Sequence, residues 1–515
     1  MAKQSFVYGA LFLVLSASFN KILGFVYQIL MIRLILPEGM GLVAMVYPIY
    51  VLIIVLATAG IPVAIAKLVA EEMAMNNPRG AYRIFFTCFI LLILTSVSLS
   101  IICLLSTPFL LKYVFPNPKV YYIFLSLLPG VTIVALCSAI RGFFQGLQKM
   151  KPIAASQSLE QLVRVMSGLF FARLFLPKGV EYAAIGASLG VVIGELSGFL
   201  LITIFYFRCR SRPPAQASVD PAKCSAGSLA ARISSLAVPV TLTRFVSTFF
   251  LSLDAILIPH RLQVSGISLA GATAIYGQFV GIAQSLLFVP GIITMSLATA
   301  LVPAISDAIS IDKFHLVRSR CETAIRMTIL AGIPFAVIFI LLGNRICGYV
   351  FGYPEAGNSL RILAMGGPFL YLQQTTTGIL HGMGKAVLPF KNLFIASIFK
   401  LCALFYLTGL PHLGIYGAAA ATATSFALMA ILNMIDIRNQ TGLIIDVKRI
   451  ILKPLAAATA MAIVLFFSYE TLSGQAGSEM FVMFSSMAAG VLGYMLLLII
   501  NGGIDKKDLS MLRGL

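Results

Sequence analysis

The chain has 515 residues, 59% of them hydrophobic and 11% charged, with a mean hydropathy of +0.98; a soluble fold of this size has too little interior to hide so much apolar surface. Lys and Arg outnumber Asp and Glu by 37 to 18, a formal net charge of +19, which would suit a nucleic-acid partner if the cations clustered, and they do not. The composition describes an all-α polytopic membrane protein, since the apolar runs are continuous and barrel strands would alternate apolar and polar residues over about ten positions.

About fourteen such runs follow one another, each of roughly 20 residues or more and so able to cross a hydrocarbon core of about 30 Å as a helix. They cover residues 5–33, 41–66, 84–110, 120–140, 153–176, 182–207, 232–258, 270–303, 323–343, 359–380, 389–409, 414–435, 452–470 and 480–500. The first begins like a signal peptide, with Lys3, Leu11 to Leu15 and then Ser16-Ala17-Ser18. The apolar run resumes after Lys21, so it reads as an uncleaved first span. Within it Lys21, Gly24 and Gln28 stand at i, i+3 and i+7 and share one helical face. The second span carries Pro48 and Pro62, and the repeat-equivalent eighth carries Pro290 and Pro303; each proline removes a backbone hydrogen bond, so these two helices are expected to bend.

The fifth span aligns Gln157, Glu160, Gln161 and Arg164 on one face, Glu160 preceding Arg164 by four, the favourable order for an ion pair. Two roles remain open for that stripe. It is either a buried clamp holding helices in register, in which case exchanging the two charges retains part of the pairing, or a contact to substrate. Residues 208–228, opening Arg208-Cys209-Arg210-Ser211-Arg212-Pro213-Pro214, read as a cytoplasmic linker. Beyond it, Arg244 and Asp254 lie near one face of the seventh span, and Lys400 stands in the eleventh.

An ionisable group at mid-bilayer costs several kcal/mol unless it faces a cavity or a partner. Neither Lys21 nor Arg244 has an opposite charge within one turn of sequence. Lys21, Gln28, Glu160, Arg164, Arg244 and Lys400 form the expected substrate-binding set, with Asp254 the expected ligand of a coupling cation or proton. Cations inside spans suit an anionic substrate, phosphate foremost, whereas a drug or cation antiporter would display carboxylates there.

Three patches recur at a displacement of 236 residues: Gly142 to Lys149 as Gly378 to Lys385, Tyr113-Val114-Phe115 as Tyr349-Val350-Phe351, and Glu71 as Asp307. The chain is thus expected to hold two pseudo-symmetric six-helix lobes, 1–207 and 229–437, joined by the linker and followed by an additional helix pair at 447–501. Duplicated units of this kind build transporters whose central cavity opens to each side in turn. If every span crosses, 25 of the Lys and Arg residues fall at one side and 8 at the other, with 4 inside spans. That is the positive-inside bias, and it places both termini in the cytoplasm.

The eight cysteines and four histidines are scattered, suggesting neither a disulfide framework nor a metal site, and no cofactor is expected. There is no Gly-x-x-x-x-Gly-Lys-Ser/Thr loop, hence no visible ATPase. Outer acidic residues are few and isolated, Glu38, Glu181, Glu355 and Glu470, which weighs against a membrane-embedded polymerase or glycosyltransferase.

The run Arg141-Gly142-Phe143-Phe144-Gln145-Gly146 with Pro152, Ser156-Gln157, Glu160-Gln161 and Arg164 resembles the signature of the stage V sporulation protein B group of polysaccharide exporters. So do Met1 to Gln4, Gly60 to Glu71, Glu181-Tyr182-Ala183-Ala184 and Leu301 to Ser306. That group lies in the multidrug/oligosaccharidyl-lipid/polysaccharide exporter superfamily, beside the MurJ-type lipid II flippases. The resemblance implies two six-helix lobes forming a V, a cavity lined by the first, second, seventh and eighth spans, and movement of an undecaprenyl-pyrophosphate-linked saccharide for spore-cortex peptidoglycan. It also implies no enzymatic step, and membrane lipids and sporulation cell-wall synthesis proteins as partners. One position departs from the group: relatives carry two arginines around the Gly-Phe pair of the first span, and here Lys21 precedes Gly24-Phe25 while Tyr27 or Gln28 follows. Lysine binds phosphate without the bidentate fork of arginine. The alternatives are a multidrug or cation antiporter of the same superfamily, a polytopic glycan-processing enzyme, or a non-transporting scaffold of cell-wall synthesis.

Overall fold

Lipid offers no partner to a backbone N–H or C=O, so a spanning segment must pair its own, and apolar runs of this length do so as α-helices. The computed structural model of the protein describes residues 6–209, 226–443, 446–473 and 478–503; these are helices and short connections, with no strand among them. Contacts divide the chain into two units, Met1–Gln263 with Ile267–Gly277, and Val264–Gly266 with Gln278–Leu515. Most of the expected linker, residues 210–225, lies outside the described residues.

The first unit contains α1 (Phe6–Thr58), α2 (Ile61–Ala74), α3 (Pro78–Tyr113), α4 (Tyr121–Gly146), α5 (Met150–Phe175), α6 (Val180–Cys209), α7 (Ala226–Val264) and nearly all of α8 (Leu269–Gln278). The second contains a π-helical turn (Phe279–Gln284), then α9 (Ser285–Phe288), α10 (Gly291–Ser310), α11 (Phe314–Phe351), α12 (Ala356–Gly382), α13 (Val387–Thr408), α14 (Ile415–Thr441), α15 (Lys453–Ser473) and α16 (Glu479–Ile500). Each of the fourteen expected spans coincides with helix. Among the described residues eleven helices are long and apolar enough to cross a membrane, and one of them, Ser16–Ala74, is long enough to hold the first two spans end to end. The fifth and tenth spans, α5 and α12, fall below that hydropathy because each carries a polar stripe through its middle.

The first two spans are separated by a kink instead of a loop. Leu36, at φ 61 and ψ 168, interrupts α1, and Pro37 follows, lacking the N–H that would continue the ladder. Contact with α8 is made backbone to backbone just there: a Cβ on Gly277 would lie 1.9 Å from the Pro37 carbonyl oxygen, and one on Gly41 would lie 2.0 Å from that of Thr273. Only glycine permits such an approach.

Both bends expected in the second and eighth spans are present. The second span breaks at Ala59 and Gly60, which have φ of 42° and 64°, and Pro62 opens the first turn of α2. The eighth loosens into the π-helical turn and then breaks at Val289-Pro290. Pro48 and Pro303 lie inside continuous helix, so only half of the prolines mark the break. The two bends are also out of register, Val289-Pro290 lying six residues short of the place the repeat assigns to Ala59-Gly60.

In the second unit α12 is the enclosed helix, packed against α10, α11 and α14. The carboxy-terminal pair packs on itself and, chiefly through α15, on α11. Gly490 and Gly493 of α16 face Leu465 and Val464, Tyr494 donates to the Leu330 carbonyl oxygen at 3.1 Å, and the Arg345 guanidinium lies 3.6 Å from the centre of the Tyr469 ring, a cation–π contact at the helix ends.

Candidate functional site: a charged cavity inside the first unit

The glycines of α6 permit its close approach to α5. Gly186, Gly190, Gly194 and Gly198 recur every four residues along one face of α6. A Cβ on Gly186 would lie 2.5 Å from the Phe171 carbonyl carbon, one on Gly190 2.3 Å from the Gly168 Cα, one on Gly194 2.7 Å from the Arg164 Cβ, and one on Gly198 3.0 Å from the Glu160 Cβ. In lipid, where helices gain nothing from hiding apolar surface, such stripes of small residues supply the packing that holds them together. Here they also seat the polar face of α5 directly against α6.

That contact assembles a network. Glu160 accepts from Arg141 of α4 at 2.9 Å through Oε2 and from Arg164 at 2.7 Å through Oε1. Arg141 Nε also donates to Ser156 at 3.1 Å. Glu195 of α6 lies 3.8 Å from Arg164 Nη2 and accepts from the Tyr50 hydroxyl of α1 at 2.7 Å. Gly130 makes room for that last pair, since a Cβ there would meet Tyr50 Oη at 2.2 Å. Two arginines and two carboxylates therefore neutralise one another, and the cluster ties α1, α4, α5 and α6 by groups that lose far more if separated than they gain by meeting.

A cavity of about 270 Å³ opens beside the network, lined by Tyr47, Tyr50, Arg141, Glu160, Arg164 and Glu195 together with Ile54, Val134, Cys137 and Ser138. Arg164 Nε is buried without a hydrogen-bond acceptor. A space of that volume with charged walls admits water, and with an unused donor it can take an acceptor oxygen.

The second unit carries a polar cluster at the same stations of the repeat. Arg141, Ser156 and Ser197 correspond at 236 residues to Thr377, Asn392 and Asn433. Asn392 Nδ2 donates to Asn433 Oδ1 at 3.0 Å and to Asp436 Oδ2 at 2.7 Å, while Asn433 Nδ2 donates to the hydroxyls of Thr376 and Thr377 at 3.1 and 3.2 Å. Both asparagines are fully buried. The duplication has kept the place of the tie and changed its chemistry, charges joining α4, α5 and α6 in one half, and mainly amides joining α12, α13 and α14 in the other.

The other expected site residues are dispersed. Lys21 is exposed and Gln28 half-buried on α1; Gly24 between them faces α5, its Cβ position 3.3 Å from Gln161 Nε2, so the polar face of α1 borders the α5 stripe. Arg244 is exposed on α7. Asp254, half-buried ten residues further on, is near enough to Tyr276 of α8 to act on it electrostatically. Lys400 is half-buried on α13, in the second unit. The network's Tyr50, Arg141 and Glu195 were not among the expected site residues. Arg141 counts by sequence as a cation at the cytoplasmic end of its span, yet it turns inward five residues before the end of α4. The glycine spacing on α6 is the signal that would have pointed to Glu195.

A many-helix membrane fold with two bent spans and with charges held inside apolar helices defines the class: the chain is a membrane transporter of the MOP superfamily, the group of flippases and exporters. It matches the polysaccharide biosynthesis protein family over residues 6–309 and the MatE family over residues 239–405. It is 30% identical to stage V sporulation protein B of Bacillus subtilis (strain 168), over 99% of this chain and 98% of that one. In fold it is similar to the lipid II flippase MurJ in an inward closed conformation, with a TM-score of 0.72 at 16% identity over 95% of this chain and 98% of that one. An inward-facing multidrug resistance MATE family transporter gives 0.68 at 14% identity over 82% and 94%. The chain belongs to the polysaccharide biosynthesis protein family.

Proposed function

We propose that this protein moves an undecaprenyl-pyrophosphate-linked saccharide, of the peptidoglycan-precursor type used for spore cortex, across the cell membrane by alternating access. The observation that carries this reading is the placement of Lys21 and Arg244, exposed side chains on otherwise apolar helices. A cation in such a helix does not stay turned to lipid; it faces water or an anion. The similarity to stage V sporulation protein B supports a lipid-linked saccharide as that anion. Lys21, Gln28 and Arg244 contact the pyrophosphate, Arg244 with a fork that can engage two oxygens and Lys21 as a point charge, and Lys400 is a further substrate contact. Glu160 and Arg164 act first as the tie within the network. Access alternates between the two sides of the membrane, both termini stay on the cytoplasmic side, and no covalent step or cofactor is involved. Asp254 binds the coupling cation or proton, and sporulation cell-wall synthesis proteins are the protein partners.

The test is movement of a fluorescent lipid-linked disaccharide pyrophosphate in proteoliposomes. Lys21→Ala and Arg244→Ala reach the membrane at wild-type abundance and lose movement, and Arg244→Lys keeps part of it. Wild-type movement by both alanine variants refutes the assignment. A protein that ignores the lipid-linked saccharide and expels cationic dyes is an antiporter instead.

A further inference from the structure

A second polar cavity of the first unit, of about 260 Å³, lies where the turn before α4 meets the first turns of α6, and Lys119, Tyr121, Tyr122, Glu181 and Tyr182 line it. The turn is pinned from beneath. Asn117 is buried; its Nδ2 donates to the Thr273 hydroxyl at 3.0 Å and its Oδ1 accepts from the Lys119 backbone N–H at 3.0 Å, which fixes the short 3-10 turn Pro118–Val120. Lys119 is then tied between two carboxylates that stand far apart in the sequence, 3.2 Å from Glu38 and 3.6 Å from Glu181. The ammonium is answered in place, and the three groups together carry one negative charge.

Tyrosines at the ends of spans often form an interfacial belt, the ring against lipid and the hydroxyl among headgroups. A belt does not call for a lysine and a glutamate in one pocket with three rings, and the corner itself does not require them either. At the displacement of the repeat Pro118 recurs as Pro354, whereas Lys119, Tyr121 and Tyr122 become Glu355, Gly357 and Asn358. There a Cβ on Gly357 would lie 2.3 Å from the Asn344 Cα, and Asn344 Nδ2 donates to Asn358 Oδ1 at 3.0 Å. The second unit thus keeps the proline and packs α11 tightly on α12, with small and amide side chains at those stations. The first unit keeps the proline and leaves the corner open, walled by tyrosines and a tied pair of opposite charges.

We propose that this corner binds one pyranose ring of a neutral saccharide, its C–H face against the Tyr122 and Tyr182 rings and its hydroxyls on the Glu181 carboxylate and the Lys119 ammonium. Size separates the occupants, since 260 Å³ falls below the roughly 300–1,000 Å³ of sites for drug-sized ligands. It suits a single ring and is too small for a phospholipid. Charge separates them as well. A phosphate would meet a cluster of net negative charge and an ammonium group would meet Lys119, whereas a sugar needs a fixed donor, a fixed acceptor and an apolar wall side by side. Tyr122 and Tyr182 are exposed, so a ring can reach them. On the topology proposed above the corner faces outward, where the headgroup of a lipid-linked saccharide is delivered, and the choice of a saccharide rests on that proposed function.

The test is saturation-transfer NMR on the full chain in phosphatidylglycerol nanodiscs, free of sugar-headed detergent, with the soluble disaccharide N,N′-diacetylchitobiose as probe. Saturating the aromatic protons of the protein should transfer to the C–H protons of the sugar ring. Tyr122→Ala and Tyr182→Ala, both at exposed positions, should each bind roughly three- to tenfold more weakly, and Glu181→Gln about tenfold more weakly. Tyr113→Ala, an exposed ring outside the pocket, should bind as the wild type does. Unchanged affinity in both pocket tyrosine variants overturns the proposal, as does an equal loss in Tyr113→Ala, which would make the signal one of the belt. A tyrosine-dependent signal from choline in place of the sugar overturns it too, and assigns the pocket to an ammonium headgroup. Absence of transfer in a preparation that moves the lipid-linked saccharide overturns the site alone. Transfer as expected in one that moves none supports the site and refutes the proposed transport.

Discussion

Replacing Glu160 by alanine should be the most damaging single change in the charged network. Glu160 accepts two charge-assisted hydrogen bonds, from Arg141 at 2.9 Å and Arg164 at 2.7 Å, so its loss leaves two guanidinium groups without their main acceptor. Removing either arginine leaves Glu160 with the other. Breaking a buried pair costs about 3–5 kcal/mol; the three side chains are 18–21% exposed, so some of the charge is solvated and the low end, about 3 kcal/mol, is the better estimate. Arg164→Ala should cost about 2 kcal/mol and Arg141→Ala somewhat less, because Arg164 also lies 3.8 Å from Glu195. At roughly 2–4 °C per kcal/mol for a unit of this size, Glu160→Ala lowers the unfolding midpoint of detergent-purified protein by about 6–12 °C. The same network answers the charge exchange. Glu160→Arg with Arg164→Glu, which a simple two-residue clamp would tolerate, sets a new arginine beside Arg141 and should be no more stable than the worse single variant. A Glu160→Ala midpoint at or above those of both arginine variants, or rescue by the exchange, refutes the three-way network.

Gly190→Ala places a methyl 2.3 Å from the Gly168 Cα and should destabilise by about 1–3 kcal/mol, whereas Leu200→Ala on the exposed side of the same helix should destabilise by under about 1 kcal/mol; equal effects would mean that the glycine stripe does not set the helix spacing. Asn392→Leu removes the donations that the amide makes to Asn433 and Asp436 and should cost about 2–3 kcal/mol, with Asn392→Gln no better because its amide is carried one methylene further; an unchanged midpoint would show the cluster to be dispensable. Asp254→Asn should abolish the response of transport to one imposed gradient, sodium, proton or potential, in proteoliposomes. A variant that responds to every gradient as the wild type does places the coupling group elsewhere.

The run lengths and the 236-residue repeat determined the helical, duplicated architecture, because a bilayer leaves an apolar run of about 20 residues little choice of structure. Bending of the second and eighth spans was also written in the chain through Pro62 and Pro290, but Pro48 and Pro303 look the same in sequence and lie in unbroken helix. Whether a proline breaks a helix depends on whether neighbouring groups satisfy the carbonyl it frees, and that is tertiary. The Glu160-Arg164 pair was legible because i and i+4 share a face whatever the fold. Arg141, Glu195 and Tyr50 come from three other helices, 19 to 110 residues away from Glu160, and beyond the glycine spacing beside Glu195 no local pattern relates them. Only the seating of α6 on α5 through Gly186, Gly190, Gly194 and Gly198 decides that Glu195 meets Arg164, and the packing of α12, α13 and α14 likewise decides that Asn392 and Asn433 meet, with Asp436 as the carboxylate of that cluster.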